Sequence, residues 1–211
     1  MTAARWRDDT DQLSERLRPS GGEQVVVAFQ GERGAYGHLV VERLWGARAW
    51  VLPCWSFADV IAALDRDKAT YAVLPMRNEI IGDIPGVGDA IAEAGLEVLG
   101  ESRQEVRHCL LGVKGSDLST IAAVYSHPAA LAQCRMFLER HPAIVAREAY
   151  DTAGSARDVA ARAHIFEAAI ADSGCAERYG LQVLARDIGD SPENFTHFAV
   201  VRSASGGSRR A

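Results

Sequence analysis

Polar side chains that could bind a small anion cluster where a predicted strand ends. The segment Leu74–Asp83, LPMRNEIIGD, begins as a buried strand and then places Arg77, Asn78, Glu79 and Asp83 close together. In an open α/β sheet, ligands bind at the mouths of strands that lead into helices. The segment is therefore either a binding loop or an ordinary solvated connection.

Two glycine-containing turns have the same strand, turn and helix pattern. In AFQGERGAYG, Gly34 precedes a helix that begins near Tyr36, and in YDTAGSARDVA, Thr152 and Ser155 stand at a helix start. The N–H groups at a helix N-terminus attract anions. A tight turn in the first segment and an N-cap in the second would explain them without a ligand. The full G-x-G-x-x-G spacing of a dinucleotide site is absent.

The segment DSPENFTHFAVV is an acidic loop that feeds a last strand, with Asn194, Thr196 and His197 at the junction. A threonine inside a strand is by itself only a good β-former. The sequence has no nucleophile elbow, P-loop or metal-ligand cluster, so hydrolase, NTPase and metalloenzyme functions lose support. We expect no metal and no cofactor.

Composition restricts the partners. A net charge of −5 provides no basic stripe for a nucleic acid and no polybasic segment for a membrane surface. No apolar run reaches the roughly 18 to 20 residues that a spanning helix needs. The four cysteines, Cys54, Cys109, Cys134 and Cys175, form no C-x-x-C pair, which indicates reduced thiols. We expect a soluble, cytoplasmic protein.

The elements that must position these residues alternate between strands and helices. Strands are predicted at 25–29, 50–53, 71–75, 106–113, 121–127, 143–150, 168–173 and 195–201, and helices at 36–45, 57–65, 86–94, 128–139 and 155–163. This alternation predicts an α/β protein with a mostly parallel sheet in each of two α/β lobes, and a cleft between them. The expected boundaries are an N-terminal extension at 1–24, a first lobe at 25–105 and 190–203, a second lobe at 106–189, and a disordered tail at 204–211.

Seven blocks in order resemble the catalytic domain of prephenate dehydratases, from about Val25 to Val201. They are VAFQGERGAY, AVLPMRNEIIG, VRHCLLGV, SHPAALAQC, YDTAGSA, AAIADSGCAERYGL and NFTHFAVV. The resemblance implies a type II periplasmic-binding-protein architecture with the active site in the interlobe cleft. It implies a carbon–oxygen lyase for a small dianionic substrate, prephenate, and a homodimer or homotetramer.

The resemblance also implies roles for individual residues. Thr196 lies in Thr196-His197-Phe198, where the family has T-R-F, and would donate its hydroxyl proton to the departing oxygen. The implied substrate contacts are Gly34, Tyr36, Arg77, Asn78, Glu79, Thr152, Ser155, His197 and Phe198.

The opening segment departs from the family's P-x-E-N-S-x-x-G-S pattern. Asn78 is kept, but Arg77 replaces a glutamate, and Glu79 and Asp83 replace hydroxyl residues. A carboxylate about 4 Å from a bound carboxylate would cost about 4 kcal/mol at an effective dielectric of ~20. We therefore expect Arg77 to pair with Glu79, with Asp83 or with another acid, unless the pocket holds its ligand differently.

Three functions remain open at this point. The first is a dehydratase that makes an aryl pyruvate, as in phenylalanine biosynthesis. The second is a non-aromatising prephenate decarboxylase of specialised metabolism, because the loop is altered and the family's regulatory ACT domain is expected to be absent. The third is a non-catalytic ligand-binding homologue, since fold alone does not imply function.

Overall fold

The computed structural model describes residues 10–18 and 23–204, which divide into two units. The first unit contains Tyr36–Glu105 together with residues 10–18, 23–30 and 195–204. The second contains Gly31–Ala35 and Val106–Asn194. The predicted α/β class with two α/β units is confirmed. Most of the predicted extension and tail, at 1–9, 19–22 and 205–211, lies outside the described residues.

The first unit is built on one mixed sheet. Its strands are β1 Val25–Gln30, β2 Ala49–Cys54, β3 Tyr71–Asn78, β4 Gly82–Asp83, β5 Leu96–Glu105 and β11 Phe195–Ser203. The sheet order is β2-β1-β3-β11-β5, with β4 paired to β3. Strand β1 is parallel to β2 and β3, whereas β11 is antiparallel to both of its neighbours, β3 and β5. The chain therefore returns to insert its last strand inside the first unit's sheet.

The described residues of the first unit form four α-helices: α1 Thr10–Arg16, α2 Tyr36–Trp45, α3 Phe57–Asp65 and α4 Val87–Glu93. Helices α3 and α4 pack on one face of the sheet, where Leu74, Ala199 and Val201 contribute to the same apolar core. Helix α2 packs on the other face: a Cβ on Gly37 would lie 3.6 Å from the Phe198 ring. Helix α1 packs on β5 and buries Leu13 completely.

The register between β3 and β11 is irregular beside the predicted site. His197 pairs with Arg77, but the next residue, Phe198, pairs with Pro75, so that Met76 is an extra residue on β3. Strand β11 alternates regularly here, which places Thr196 on the α2 face and His197 on the α3/α4 face. A bulge of this kind re-aims the side chains that follow it.

The second unit has a five-stranded sheet and four short helices. Its strands are β6 Cys109–Val113, β7 Ala123–Ser126, β8 Val145–Glu148, β9 Glu167–Ala171 and β10 Leu181–Ala185, and its helices are α5 Pro128–Gln133, α6 Arg135–Arg140, α7 Thr152–Arg162 and α8 Gly174–Tyr179. The sheet order is β10-β6-β9-β7-β8, with β7 parallel to β8 and β9. The carboxyl ends of β7, β8 and β9 lead into α5, α7 and α8 respectively.

Several elements differ from the prediction, and both sheets mix parallel and antiparallel pairing where mostly parallel sheets were expected. The helix expected at 128–139 is two helices, α5 and α6, and α7 begins at Thr152 rather than at 155. Strands β4, β5 and β10 and helix α8 were not predicted. The four cysteines form no disulfide, and three of them are buried. Across residues 10–18 and 23–204, no helix has the length and apolar character required to cross a membrane.

Candidate active site

Thr196 and Asn78 form a buried hydrogen-bonded pair in the first sheet, where strand β3 ends and strand β11 begins. The Asn78 Nδ2 atom donates to the Thr196 hydroxyl oxygen over 3.0 Å and to the Phe195 carbonyl over 3.1 Å. The Asn78 Oδ1 atom accepts from the backbone N–H groups of Ile80 and Ile81, at 3.0 and 3.1 Å. Because these two partners are donors, the orientation of the amide is fixed, and Asn78 can only donate to Thr196.

This orientation determines what the Thr196 hydroxyl can do. Its oxygen accepts from Asn78, so its hydrogen is not consumed by that bond and can be donated to another group. Gln104 stands opposite Thr196 on the neighbouring strand β5 and on the same face, and its Nε2 donates to the Glu105 carbonyl over 2.9 Å. The site therefore contains a positioned hydroxyl donor in a row of three polar side chains.

The bulge makes this pair possible. Leu74 and Met76 pack in the core under α3 and α4. Regular alternation would also turn Asn78 toward that face, away from Thr196. Because Met76 is an extra residue, Asn78 instead lies opposite Thr196 and shares the α2 face.

Glu79 lies on the opposite face from Thr196. Its backbone N–H donates to the Phe195 carbonyl over 2.9 Å, and its side chain meets those of Arg103 and His197. Arg103 binds the carboxylate with two nitrogens, Nε at 3.0 Å and a terminal nitrogen at 3.1 Å, while His197 Nε2 lies 3.1 Å from Glu79 Oε1. The hydrogen bond from Arg103, assisted by His197, lowers the pKa of Glu79 below its ordinary value despite partial burial.

The same cluster fixes the hydrogen-bonding role of His197. An ionised carboxylate only accepts hydrogen bonds, so Nε2 of His197 carries a proton and donates to Glu79. The guanidinium carbon of Arg103 lies 3.4 Å from the centre of the Phe195 ring, so Arg103 also stacks on the strand that carries His197.

Arg77 pairs with Asp83, one of the acids predicted from the sequence as its partner. Their side chains are 3.1 Å apart and are 42% and 79% exposed. An exposed pair of this kind contributes less than about 1 kcal/mol. The arginine that neutralises Glu79 is Arg103, on a strand that the sequence did not predict.

In the second unit, Asp151 caps helix α7 and holds the glycine-rich turn. Its Oδ2 atom accepts from the N–H of Gly154 over 2.8 Å and from the N–H of Glu32 over 3.0 Å. Burial raises the pKa of the Asp151 carboxyl, and these two bonds partly offset the effect. The segment Gly31–Ala35 therefore groups with the second unit, although its neighbours in sequence belong to the first.

The two hydroxyl residues of α7 differ in what they can offer a ligand. Ser155 donates its hydroxyl proton to the Asp151 carbonyl over 2.7 Å, one turn back in the helix. Within the described part of the chain, the Thr152 hydroxyl has no hydrogen-bond partner. Thr152 is also the first residue of the helix, where backbone N–H groups precede the first intrahelical bond.

Gly34 lies in a close contact that only glycine fits. Its φ is +96°, and a Cβ would lie 2.7 Å from the Sγ of Cys175 on α8. Cys175 Sγ lies 3.6 Å from the Gly34 carbonyl, and the Tyr179 hydroxyl donates to the Arg33 carbonyl. The turn is thus fixed on α8. Tyr36, the first residue of α2, belongs to the first unit.

The structure thus sorts the predicted site residues into three groups. Thr196, Asn78 and Phe198 share the α2 face of the first sheet. Glu79, His197 and Arg77 lie on the α3/α4 face of the same edge. The third group, Gly34, Thr152 and Ser155, belongs to the second unit.

Sequence reasoning missed Arg103, Gln104 and Asp151. Asp151 stands directly before the hydroxyl residues of a predicted helix start, and the N-cap preference for aspartate could have identified it. The other two required the register of β5 against β11. No three metal-binding side chains come together in the portion of the chain that the structure describes.

Comparison with known proteins identifies the family of this chain. The family model described as prephenate dehydratase matches residues 27–206. The chain belongs to the prephenate dehydratase family. It is 37% identical over 193 residues to arogenate dehydratase/prephenate dehydratase 2, chloroplastic, of Arabidopsis thaliana, a match that covers 91% of this chain and 49% of that protein.

Other members of the prephenate dehydratase family show a similar likeness. The bifunctional N-acyl-homoserine lactone acylase/prephenate dehydratase of Komagataeibacter europaeus is 37% identical over 85% of this chain and 63% of its own length. The crystal structure of prephenate dehydratase from Arthrobacter aurescens, in complex with L-Phe, superposes with a TM-score of 0.77 at 30% identity, covering 85% of this chain and 60% of that one. The chain thus spans 49% to 63% of the length of these relatives.

Proposed function

We propose that this chain is a dehydratase-type lyase that acts on prephenate or on its amino counterpart, arogenate. Both names occur among its relatives. The observation that carries the proposal is the Thr196 hydroxyl, which Asn78 holds as an acceptor so that its proton can be donated. A pathway role in phenylalanine biosynthesis and assembly as a homodimer or homotetramer are part of the same proposal.

The reaction requires little from the protein beyond positioning and one hydrogen-bond donor. The ring carboxylate leaves as carbon dioxide, and the electron pair of the broken C–C bond enters the ring. The C–O bond to the ring hydroxyl breaks with its electron pair on the oxygen, which takes a proton supplied by solvent through the Thr196 hydroxyl and leaves as water. The gain of aromaticity drives the reaction, and Thr196 supplies the donor to the departing oxygen.

Asn78 contributes by orienting that donor. It bonds the threonine oxygen and the backbone on either side of the turn, so the hydroxyl cannot rotate to donate to Asn78 itself. An oriented donor of this type acts on charge that develops in the transition state, without the cost of reorganisation.

The first turn of α7 is the proposed anchor for a substrate carboxylate. Thr152 contributes a hydroxyl without a protein partner in the described chain, at the N-terminus of the helix. Ser155, whose proton is donated to a backbone carbonyl, would support the turn rather than donate to the ligand. Gly34 would keep the glycine-rich turn close to α8.

The altered residues Arg77, Glu79, Asp83 and His197 are the sequence features that favour decarboxylation without loss of water. Their side chains lie on the face opposite to Thr196 and are paired there. This placement leaves the hydroxyl donor unchanged, which favours dehydration over simple decarboxylation.

One assay separates the three functions. The purified protein is incubated with prephenate and, separately, with arogenate, and the products are identified by mass spectrometry. Loss of both water and carbon dioxide is expected, and Thr196→Val, which removes only the hydroxyl, should abolish most of the turnover. A product that keeps the ring oxygen would identify a decarboxylase, and ligand-dependent thermal stabilisation without turnover would identify a binding homologue.

A further inference from the structure

We propose that Arg103 determines substrate selectivity in this chain, because it neutralises Glu79 and so permits a doubly negative ligand to bind near Asn78. The inference rests on the proposed function and concerns the keto acid and amino acid substrates named there. Arg103 is a positioning and charge-compensating residue, since it lies on the opposite face from Thr196.

The first observation is how close the acid is to the site. Glu79 directly follows Asn78, whose side chain holds Thr196. The two adjacent side chains lie on opposite faces of the strand, so the Glu79 charge is on the order of 10 Å from a ligand that contacts Thr196. At that distance, an uncompensated charge would still act on the ligand.

The second observation is that the compensating charge comes from Arg103. It makes a two-nitrogen contact with the Glu79 carboxylate, and its backbone carbonyl is in turn held by Arg43 of α2 over 2.8 Å. The nearer arginine in sequence, Arg77, is engaged with Asp83. His197 also donates a hydrogen bond to Glu79, over 3.1 Å.

Removal of Arg103 should therefore act through charge. A single uncompensated charge at about 10 Å and an effective dielectric of ~20 weakens binding by about tenfold for each net negative charge on the ligand. The keto acid carries two carboxylates, whereas the amino acid carries two carboxylates and an ammonium group. Arg103→Leu should thus raise KM for the keto acid about tenfold more than for the amino acid.

A matched set of variants tests the proposal. Arg103→Leu is expected to raise KM for the keto acid, and Glu79→Gln, which removes the negative charge and leaves the arginine, is expected to lower it. The double variant should return KM toward the wild-type value. Arg103→Lys keeps the charge but loses the two-nitrogen contact, so it should retain most of the selectivity.

Arg202→Leu is the control. Arg202 forms an exposed ion pair with Glu97 on the same two strands, β11 and β5, at the opposite end of their pairing. This variant changes the net charge by the same amount and should leave the KM ratio of the two substrates unchanged. Thermal unfolding of each variant checks that it is folded.

The sign of the single changes decides the outcome. If Arg103 and Glu79 form only a structural bridge, both single variants should weaken binding, and the double variant should not recover; that pattern would overturn the proposal. If Arg103→Lys behaves like Arg103→Leu in folded protein, the proposal also fails. If the wild-type protein turns over neither substrate, the proposed function is refuted instead. Calorimetry must then show that Arg103→Leu weakens prephenate binding and that Glu79→Gln strengthens it.

Discussion

Replacement of Asn78 by aspartate tests the central geometry of the site with a change of one atom type. The new carboxylate can still accept from Ile80 and Ile81, so the turn keeps its two hydrogen bonds. It cannot donate to the Thr196 oxygen or to the Phe195 carbonyl. The Thr196 hydroxyl will then rotate to donate to the carboxylate, and its proton is withdrawn from the departing oxygen.

The structure gives the scale of the effect. Asn78 is 4% exposed, so the lost donors and the new charge are not compensated by water. With a cost of about 1 to 3 kcal/mol for each buried polar group left unsatisfied, Asn78→Asp should lower the free energy of unfolding by about 2 to 4 kcal/mol. Loss of a positioned proton donor should lower kcat by about a hundredfold or more.

The assay is phenylpyruvate formation from prephenate, followed by absorbance in alkali, with unfolding by denaturant as the measure of stability. Protonation of the introduced carboxyl restores a donor, so the kcat of Asn78→Asp should partly recover as the pH is lowered, relative to wild type. Thr196→Val should show no such recovery, and the double variant should be no slower than Thr196→Val alone. A folded Asn78→Asp protein with wild-type kcat would refute the assignment of Asn78 as the group that orients Thr196.

Three further predictions concern stability, each measured by denaturant unfolding. In the folded protein the pKa of Glu79 is held below its ordinary value of 4.5. Glu79 therefore adds to the free energy of unfolding above about pH 4.5, and this stabilisation is lost as the pH falls through the folded-state pKa. Glu79→Gln should flatten that loss, and an unchanged slope would contradict the pairing. Asp151→Ala leaves two backbone N–H groups without their acceptor and should cost about 2 kcal/mol, whereas no loss would exclude the cap. Gly34→Ala places a Cβ 2.7 Å from Cys175 Sγ. It should lower the free energy of unfolding by more than Gly82→Ala does, because Gly82 has a similar φ of +91° but no neighbour within 4 Å, and its replacement should cost only roughly 1 to 2 kcal/mol. Equal losses for the two variants would show that the Cys175 side chain moves aside.

The strands that carry the site could be predicted because their sequences have strong local signals. YAVLP and FTHFAVV are apolar and β-branched, and both were located to within three residues of the ends of β3 and β11. Their polar ends, with Asn78 and Thr196, marked the edge of the sheet. The ordered blocks indicated the family, which the comparison with known proteins confirmed.

Strand β5 could not be predicted from the sequence. Because Arg103 lies on this strand, Arg103 could not be predicted as the partner of Glu79 either. Its sequence, LEVLGESRQE, has six polar residues of ten and lacks a regular alternation, so local propensity gives little indication of a strand. What holds β5 in the sheet is its long antiparallel pairing with β11, from Phe195 opposite Glu105 to Ser203 opposite Leu96. A strand defined by its partner leaves only a weak signal in its own sequence.

The extra residue at Met76 explains how this edge of the sheet accommodates an acid beside its hydroxyl donor. Adjacent residues of a strand point to opposite faces, so the register decides which of Asn78 and Glu79 meets Thr196. With the bulge, the amide faces the hydroxyl, and the carboxylate faces Arg103 and His197. Without it, the carboxylate would lie on the Thr196 face and would accept the proton that the proposed reaction needs. A glutamate at position 79 is therefore compatible with the proposed chemistry only because the register of β3 and the charge on β5 act together.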